Sequence, residues 1–536
     1  MHAGVRMAVV AAGLLISVLA SANDSLLVRT KSGVVRGISE AGGTVYKGIP
    51  FAAPPIGDRR WRPPAPAAPW QGVLLADVFK PMCMTTTPAI PGGPMEQVSE
   101  DCLYLNIWTP PQRTHAKLPV MVWIYGGGLR AGSGSSPVYW GDKLVEKGVI
   151  TVNLNYRAGS FGFLSHPELS RESGHGASGN YGIMDMIAAL KWVQDNIAAF
   201  GGDPRRVTVF GQSAGSFGVG YLMTSPLARG LFHRAIGQSG ADMGSIGHGM
   251  MIPADAEASG MRLADALGAR SLADLRQISA DRILAMDSRW PADAEGRVKP
   301  GTMAVRDGYV FPETMYDTFK AGKQNDVPVL IGYNANEGGY LVGEPLIAAE
   351  YAKNVRREYG RLADRVLNLY PADTNEVAAR SQRELLRDNW YGWQMWTWAR
   401  LQSATGDAKV YFYNFSYVPD YMAGTPLAEL GAAHGFELGN VFAHAEQFPP
   451  TATSKDKRMA ATISTYWTQF ARKGDPNGNG LPTWPVFTER DQRVMNLGDP
   501  IVAGELAEGD LRRLELQDAH ATAIRFEPAV RDRTQH

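Results

Sequence analysis

Cysteine is nearly absent from this chain, with two residues, Cys83 and Cys102, in 536. So low a count excludes a disulfide-dense scaffold and a cysteine-ligated metal cluster. An excess of either charge is also missing, because 53 basic side chains balance 53 acidic ones. Such a balance gives no footprint for nucleic acid or for an anionic membrane surface. The ten histidines are scattered and no His-x-x-x-His pair occurs, so no metal site is suggested. No Gly-x-Gly-x-x-Gly follows a strand, so no dinucleotide cofactor is expected. Internal repeats and low-complexity stretches are lacking too, and beyond the first two dozen residues no apolar run is long enough to span a bilayer.

What is present begins with a targeting pattern. Arg6 supplies a positive start, Met7 to Ala20 an apolar run, and Ala20-Ser21-Ala22 a small-residue cleavage site. The run falls short of the roughly 20 residues a spanning helix needs, and Asn23-Asp24-Ser25 follows it at once. We therefore expect residues 1–22 to be a signal peptide cut after Ala22. No cysteine stands there to carry a lipid anchor, so no stable membrane anchor is expected and the mature chain would be secreted or periplasmic. In an exported protein two cysteines read as one disulfide, here Cys83–Cys102. Closing a loop of about twenty residues stabilises a fold by roughly 3 kcal/mol in the chain-entropy picture. No linker divides residues 23–536.

Val28 to Gly37 reads as a hairpin turning at Lys31-Ser32-Gly33. Gly48 to Trp70 is too rich in proline for helix or interior strand, and Phe51, Trp61 and Trp70 should pin it as an ordered loop. Strands follow at Leu103–Trp108, Leu118–Tyr125 and Val149–Tyr156, the second apolar throughout, as a strand covered on both faces must be. Asn180–Phe200 carries Ile183, Ile187, Leu190, Val193 and Ile197 on one helical stripe, and Gly201-Gly202-Asp203-Pro204 stops it. Further strands fall at Val207–Phe210, Ala235–Gly240, Val327–Tyr333 and Val410–Tyr417. Helices are expected over Ala254–Leu267, Leu272–Ala285, Leu346 to about Ala404, and Met459–Arg472, the third with Trp390, Trp393 and Trp396 on one face. Strands alternating with helices define an α/β protein with a mostly parallel twisted sheet and helices on both faces.

The chemistry centres on Gly211-Gln212-Ser213-Ala214-Gly215. A hydroxyl flanked by glycines where a strand turns into a helix is the layout of a nucleophile elbow. Because the chain holds 59 glycines, chance alone supplies about 0.4 such patterns, so partners must decide. A serine nucleophile needs a base, an acid to orient the base, and amides for an oxyanion. In chains with such an elbow the acid and then the base follow the serine, which leaves His434, His444, His520 and His536. His536 is terminal and His520 lies in a charged tail; His434, among small residues after a strand, is favoured, with His444 as its rival. Glu337 stands just past a buried strand and before two glycines, which suits a loop carboxylate; an idle surface carboxylate fits position about as well. Candidate oxyanion donors are the amide of Ala214 and, after the strand ending at Tyr125, those of Gly127 and Gly128.

The whole pattern resembles the type B carboxylesterases, the cholinesterase-like branch of the α/β-hydrolase fold. The matching blocks are GIPFAAPP from Gly48, Glu100 to Asn106 (EDCLYLN), Phe200 to Gly215 (FGGDPRRVTVFGQSAG), Asn336-Glu337-Gly338, Ala433-His434-Gly435, and GDPNGNG with Trp484-Pro485. The resemblance implies a single α/β-hydrolase domain over residues 23–536. It also implies Ser213, Glu337 and His434 as a triad, Gly127, Gly128 and Ala214 as the oxyanion hole, a Cys83–Cys102 disulfide, no cofactor, and a small-molecule ester as partner. Three departures stand out. The family often has His-Gly-Gly-Gly-Phe where this chain has Tyr125-Gly126-Gly127-Gly128-Leu129, and Gln212 replaces the glutamate that cholinesterases place before the nucleophile. The loop from Cys83 to Cys102 also lacks an aromatic. The last two remove parts of a quaternary-ammonium site and argue against choline esters, while Gln212 and the single disulfide look more like the bacterial members. The expected activity is ester hydrolysis through an acyl-enzyme on Ser213. The same triad acting on an amide, carbamate or thioester, and a catalytically silent binding protein, are the alternatives.

Overall fold

The computed structural model describes residues 26–40, 42–88, 93–111, 117–244, 249–289, 303–445 and 451–526. The expected signal peptide and His536 lie outside the described residues.

An eleven-stranded sheet forms the middle layer. Its strands, in chain order, are β1 (Ile38–Glu40), β2 (Gly43–Pro50), β3 (Tyr104–Thr109), β4 (Leu118–Ile124), β5 (Ile150–Leu154), β6 (Gly202–Gln212), β7 (Arg234–Gln238), β8 (Val329–Asn334), β9 (Val410–Phe415), β10 (Arg493–Leu497) and β11 (Val502–Glu505). Across the sheet they run β11-β10-β9-β8-β7-β6-β4-β5-β3-β2-β1. Pairing from β5 through β10 is parallel, while both margins are antiparallel. The parallel centre explains the apolar runs. Every residue of β5 and β8 is buried, and so is all of β4 after Leu118, because crossover helices cover both faces.

Those helices include α1 (Tyr181–Asn196), α2 (Ala214–Thr224), α3 (Asn375–Arg387), α4 (Trp393–Thr405), α5 (Ser454–Lys473) and α6 (Glu508–Phe526). The stripe of α1 is buried as the periodicity predicts, and Gly201, in the left-handed region at φ 90°, caps the 3₁₀ turn Ile197–Phe200 that extends it. A capping box opens α5: the Thr453 hydroxyl accepts from the Asp456 amide while the Asp456 carboxylate accepts from the Thr453 amide. The early hairpin forms between Leu27–Arg29 and Val34–Arg36. The proline-rich loop is pinned by buried Phe51, by Trp61 Nε1 donating to the Ser160 carbonyl, and by Trp70 Nε1 donating to that of Val34. Cys83 and Cys102 are joined by a disulfide across a Cα–Cα distance of 5.1 Å.

Two expectations need correction. The span Leu272–Ala285 is two helices, Leu272–Gln277 and Ala280–Arg289, because Ile278 leaves the helical region. Trp390, Trp393 and Trp396 do not share one buried face. A π-helical turn at Asp388–Gly392 separates α3 from α4, so Trp390 is 36% exposed while Trp393 and Trp396 are buried. The π turn shifts the helical phase by one residue, which a 3.6-residue period cannot anticipate. The charged tail carrying His520 is a packed helix, α6, on which His520 is 3% exposed with its ring 4.2 Å from that of Tyr359. Burial holds its imidazole down to about 4. Among the described residues no helix is long and apolar enough to cross a membrane.

Candidate active site

The parallel centre of the sheet ends in four loops that converge beyond the carboxyl ends of β4, β6, β8 and β9. The elbow comes first. Ser213 follows β6 directly and opens α2 with φ 57° and ψ −127°, a strained conformation for a residue with a side chain. Its amide donates to the Gln238 carbonyl at 2.8 Å, and its carbonyl accepts from Ser216 and Phe217. The strain is held in place by close packing on both flanks. A Cβ on Gly215 would lie 2.0 Å from the Ile124 carbonyl oxygen, and one on Gly211 would lie 2.5 Å from the Gly215 backbone. The glycines around the serine are therefore required by the approach of β4 and α2. Ser213 itself is half-buried.

The glycine run after β4 lies against the elbow. Gly127 and Gly128 have φ of 106° and 65°. Within that turn the amides of Arg130 and Ala131 donate to the Gly127 carbonyl. Among the described residues the Gly127 and Gly128 amides enter no backbone hydrogen bond. Ala214, fully buried, is the first residue of α2, so its amide is one of the helix's donors without an intrahelical acceptor. Oriented amides beside a helix N-terminus can hold developing negative charge.

The other half of the site comes from two distant loops. Asn336 and Ala433 form an isolated parallel bridge, which sets Glu337 beside His434. His434 Nδ1 lies 2.6 Å from Glu337 Oε2. Glu337 is fully buried, and its other oxygen accepts from the Asn334 amide at 2.7 Å. The position that pattern alone left open thus holds a buried, oriented carboxylate. The rival His444 is committed elsewhere, with Nε2 2.9 Å from Asp142 Oδ1.

Four further residues belong to this half and were not singled out by sequence. Glu437 is buried and accepts from Asn334 Nδ2 at 2.6 Å and from Gln238 Nε2 at 3.0 Å, while Asn334 Nδ2 also donates to the Ala433 carbonyl. Burial, and then the charge of Glu337, push Glu437 above the ordinary carboxylate range. Tyr391, carried by the π turn, lays its ring 4.6 Å from that of His434. Tyr340 donates its hydroxyl to the His434 carbonyl. A second acid three residues after a candidate base was a visible signal for Glu437. Nothing local marks Asn334, Tyr340 or Tyr391, because each acts across a tertiary contact.

The remaining imidazole nitrogen, His434 Nε2, is 3.1 Å from Gln212 Nε2. Among the described residues no group of three His, Cys, Asp or Glu side chains is placed to hold a metal ion.

This sheet, with its strand-to-helix elbow and its Glu337 and His434 loops beyond later strands, defines an α/β-hydrolase. The comparisons narrow the class. The family model described as the carboxylesterase family matches residues 24–512. The chain is 38% identical to a fumonisin B1 esterase of Sphingopyxis macrogoltabida, over 91% of this chain and 90% of that protein. It is 34% identical to carboxylesterase 1D of Rattus norvegicus, over 83% and 84%. A solved structure of a PNB esterase superposes with a TM-score of 0.78 at 32% identity, covering 91% of this chain and 99% of that one. The chain belongs to the carboxylesterase family and is a carboxylic ester hydrolase.

Proposed function

We propose that Ser213 is the nucleophile, His434 the general base, and Glu337 the acid that orients it. The observation that carries this reading is the 2.6 Å contact between His434 Nδ1 and a fully buried Glu337 carboxylate. That contact fixes the Nδ1–H tautomer and leaves Nε2 as the proton acceptor. His434 Nε2 takes the Ser213 proton as Oγ attacks the ester carbonyl carbon. The tetrahedral oxyanion accepts hydrogen bonds from the amides of Gly127, Gly128 and Ala214. The intermediate then collapses, and the alcohol leaves with the proton from His434. Water, deprotonated by the same nitrogen, attacks the acyl-enzyme, and the acid departs as Ser213 regains its proton.

Each hole donor is worth roughly 3 kcal/mol of transition-state stabilisation. Gln212 and the disulfide loop without aromatics argue against choline esters as substrates. We also place this chemistry outside the cytoplasm, in one hydrolase domain spanning residues 23–536 after a signal peptide ending at Ala22; the disulfide suits an oxidising compartment.

The test is Ser213→Ala, assayed on a chain-length series of chromogenic esters, with mass spectrometry of the parent after an organophosphonate probe. We expect turnover to be lost in the variant and the adduct to map to Ser213. Turnover retained in the variant would overturn the assignment.

A further inference from the structure

Gln212 has so far figured only as a departure from a family pattern. Its side chain is 5% exposed and lies between the three pieces of the site. A Cβ on Gly126 would sit 3.1 Å from Gln212 Oε1, and one on Gly435 would sit 3.7 Å from its Nε2. The carbonyl end thus faces the glycine run, and the amide end faces the base loop. That amide nitrogen is the group 3.1 Å from His434 Nε2.

An amide NH2 only donates hydrogen bonds. Because Glu337 holds the proton on Nδ1, the neutral ring offers Nε2 as an acceptor, and the contact is a good hydrogen bond. Once the ring is protonated, both nitrogens donate, and the amide would face another donor. To recover a bond, Gln212 would have to turn its carbonyl toward the ring, away from Gly126. The bond therefore favours neutral imidazole over imidazolium. It also occupies the lone pair that must take the serine proton.

The other groups facing the ring do not do this. Glu337 and Glu437 are carboxylates, and negative charge near the ring favours imidazolium. Tyr391 contributes a neutral ring face, and Tyr340 reaches only the backbone carbonyl of His434. Among the described residues Gln212 is the neutral donor set against two acids.

Resting on the triad reading above, we propose that Gln212 is a positioning residue for the base. Its amide holds His434 Nε2 in the neutral, accepting state between turnovers and yields that nitrogen to Ser213 when an ester enters. The pH at which the base becomes available is set in part by this amide. A glutamate here would do the opposite, because it would accept from imidazolium and stabilise it.

The test is the pH dependence of kcat/KM for Gln212→Glu and Gln212→Met on one chromogenic ester, with melting curves for each variant and Ser213→Ala run in parallel. We expect the acid limb to move to higher pH by about one unit or more in Gln212→Glu, the scale for adding an opposite charge beside the ring. A smaller move in the same direction is expected for Gln212→Met, which lacks the donor. A merely structural role would lower the plateau or the melting temperature without moving the limb. Acid limbs of both variants within about 0.2 pH unit of the parent would overturn the proposal. If neither variant folds, the 15N shifts of His434 in the parent decide. A neutral ring with an accepting Nε2 at the pH of full activity supports the proposal, and an imidazolium overturns it. Turnover in Ser213→Ala would sink the triad reading itself, whereas a dead Ser213→Ala with unmoved acid limbs sinks only the role of Gln212.

Discussion

The two halves of the site are built in different ways. The proposed nucleophile half takes its elbow from one continuous stretch, β6 running through Ser213 into α2, and adds the glycine run from the loop after the neighbouring strand β4. Its geometry is enforced by steric exclusion, as the 2.0 Å approach expected of a Cβ on Gly215 shows. The acid–base half joins residues 97 positions apart. It is held by polar contacts, a relay in which Trp467 donates to Gln238, Gln238 to Glu437, and Asn334 to both Glu437 and Glu337. Sterics fix a position but are indifferent to pH, while a buried relay of carboxylates and amides also fixes proton locations. The difference teaches that this fold keeps backbone strain on the side of Ser213, the proposed nucleophile, and titratable groups on the side of His434, the proposed base.

The largest test of that contrast is Glu337→Gln. The amide keeps the shape of the acid half but removes the charge and allows the wrong imidazole tautomer, so kcat should fall by about four orders of magnitude. A melting temperature close to the parent's would show that the loss is electrostatic. A loss under tenfold, measured by steady-state kinetics, would break the contrast.

Next comes Gly127→Ala on the steric half. Its φ of 106° strains any side chain, and the added Cβ would lie 2.3 Å from the Ala131 carbonyl oxygen. Moving the glycine amides should cost about 10²–10³ in kcat, with a lower melting temperature and an unchanged acid limb. A shifted limb would mean that the two halves are not separable in this way.

The smallest effect on turnover is expected from Glu437→Gln, which removes a charge and leaves one acceptor oxygen for the amide donors of Asn334 and Gln238. Because burial raises the Glu437 carboxyl, the native state holds its proton to higher pH than the unfolded chain does. Its contribution to stability is therefore lost as pH rises through that raised value. The melting temperature of the variant should rise relative to the parent's as pH rises, while kcat stays within about tenfold. A relative melting temperature that falls as pH rises would show that the ionised Glu437 is stabilised by its partners.

Much of the frame was legible in the chain. Apolar runs marked the buried parallel strands, and glycine and proline marked where they end. Gly211 and Gly215 around Ser213 read correctly as a tight elbow, because the steric demand on a glycine is local. Trp390 was misplaced because a π turn changes the helical phase without a compositional sign. Glu437 and Asn334 were missed because a buried polar residue is recognisable only once its partners are known.

The sequence by itself determined the central strands and the helix that follows Gly179, the strained turn that presents Ser213, and the pair of cysteines. Periodicity, turn chemistry and steric exclusion all act over a few residues. Only the tertiary structure decided that Glu337 rather than an idle surface carboxylate stands behind His434, that His444 is committed to Asp142, and that Gln212 reaches the base. Those choices depend on which distant groups share a dry, low-dielectric space, where one hydrogen bond made or missed outweighs any local preference.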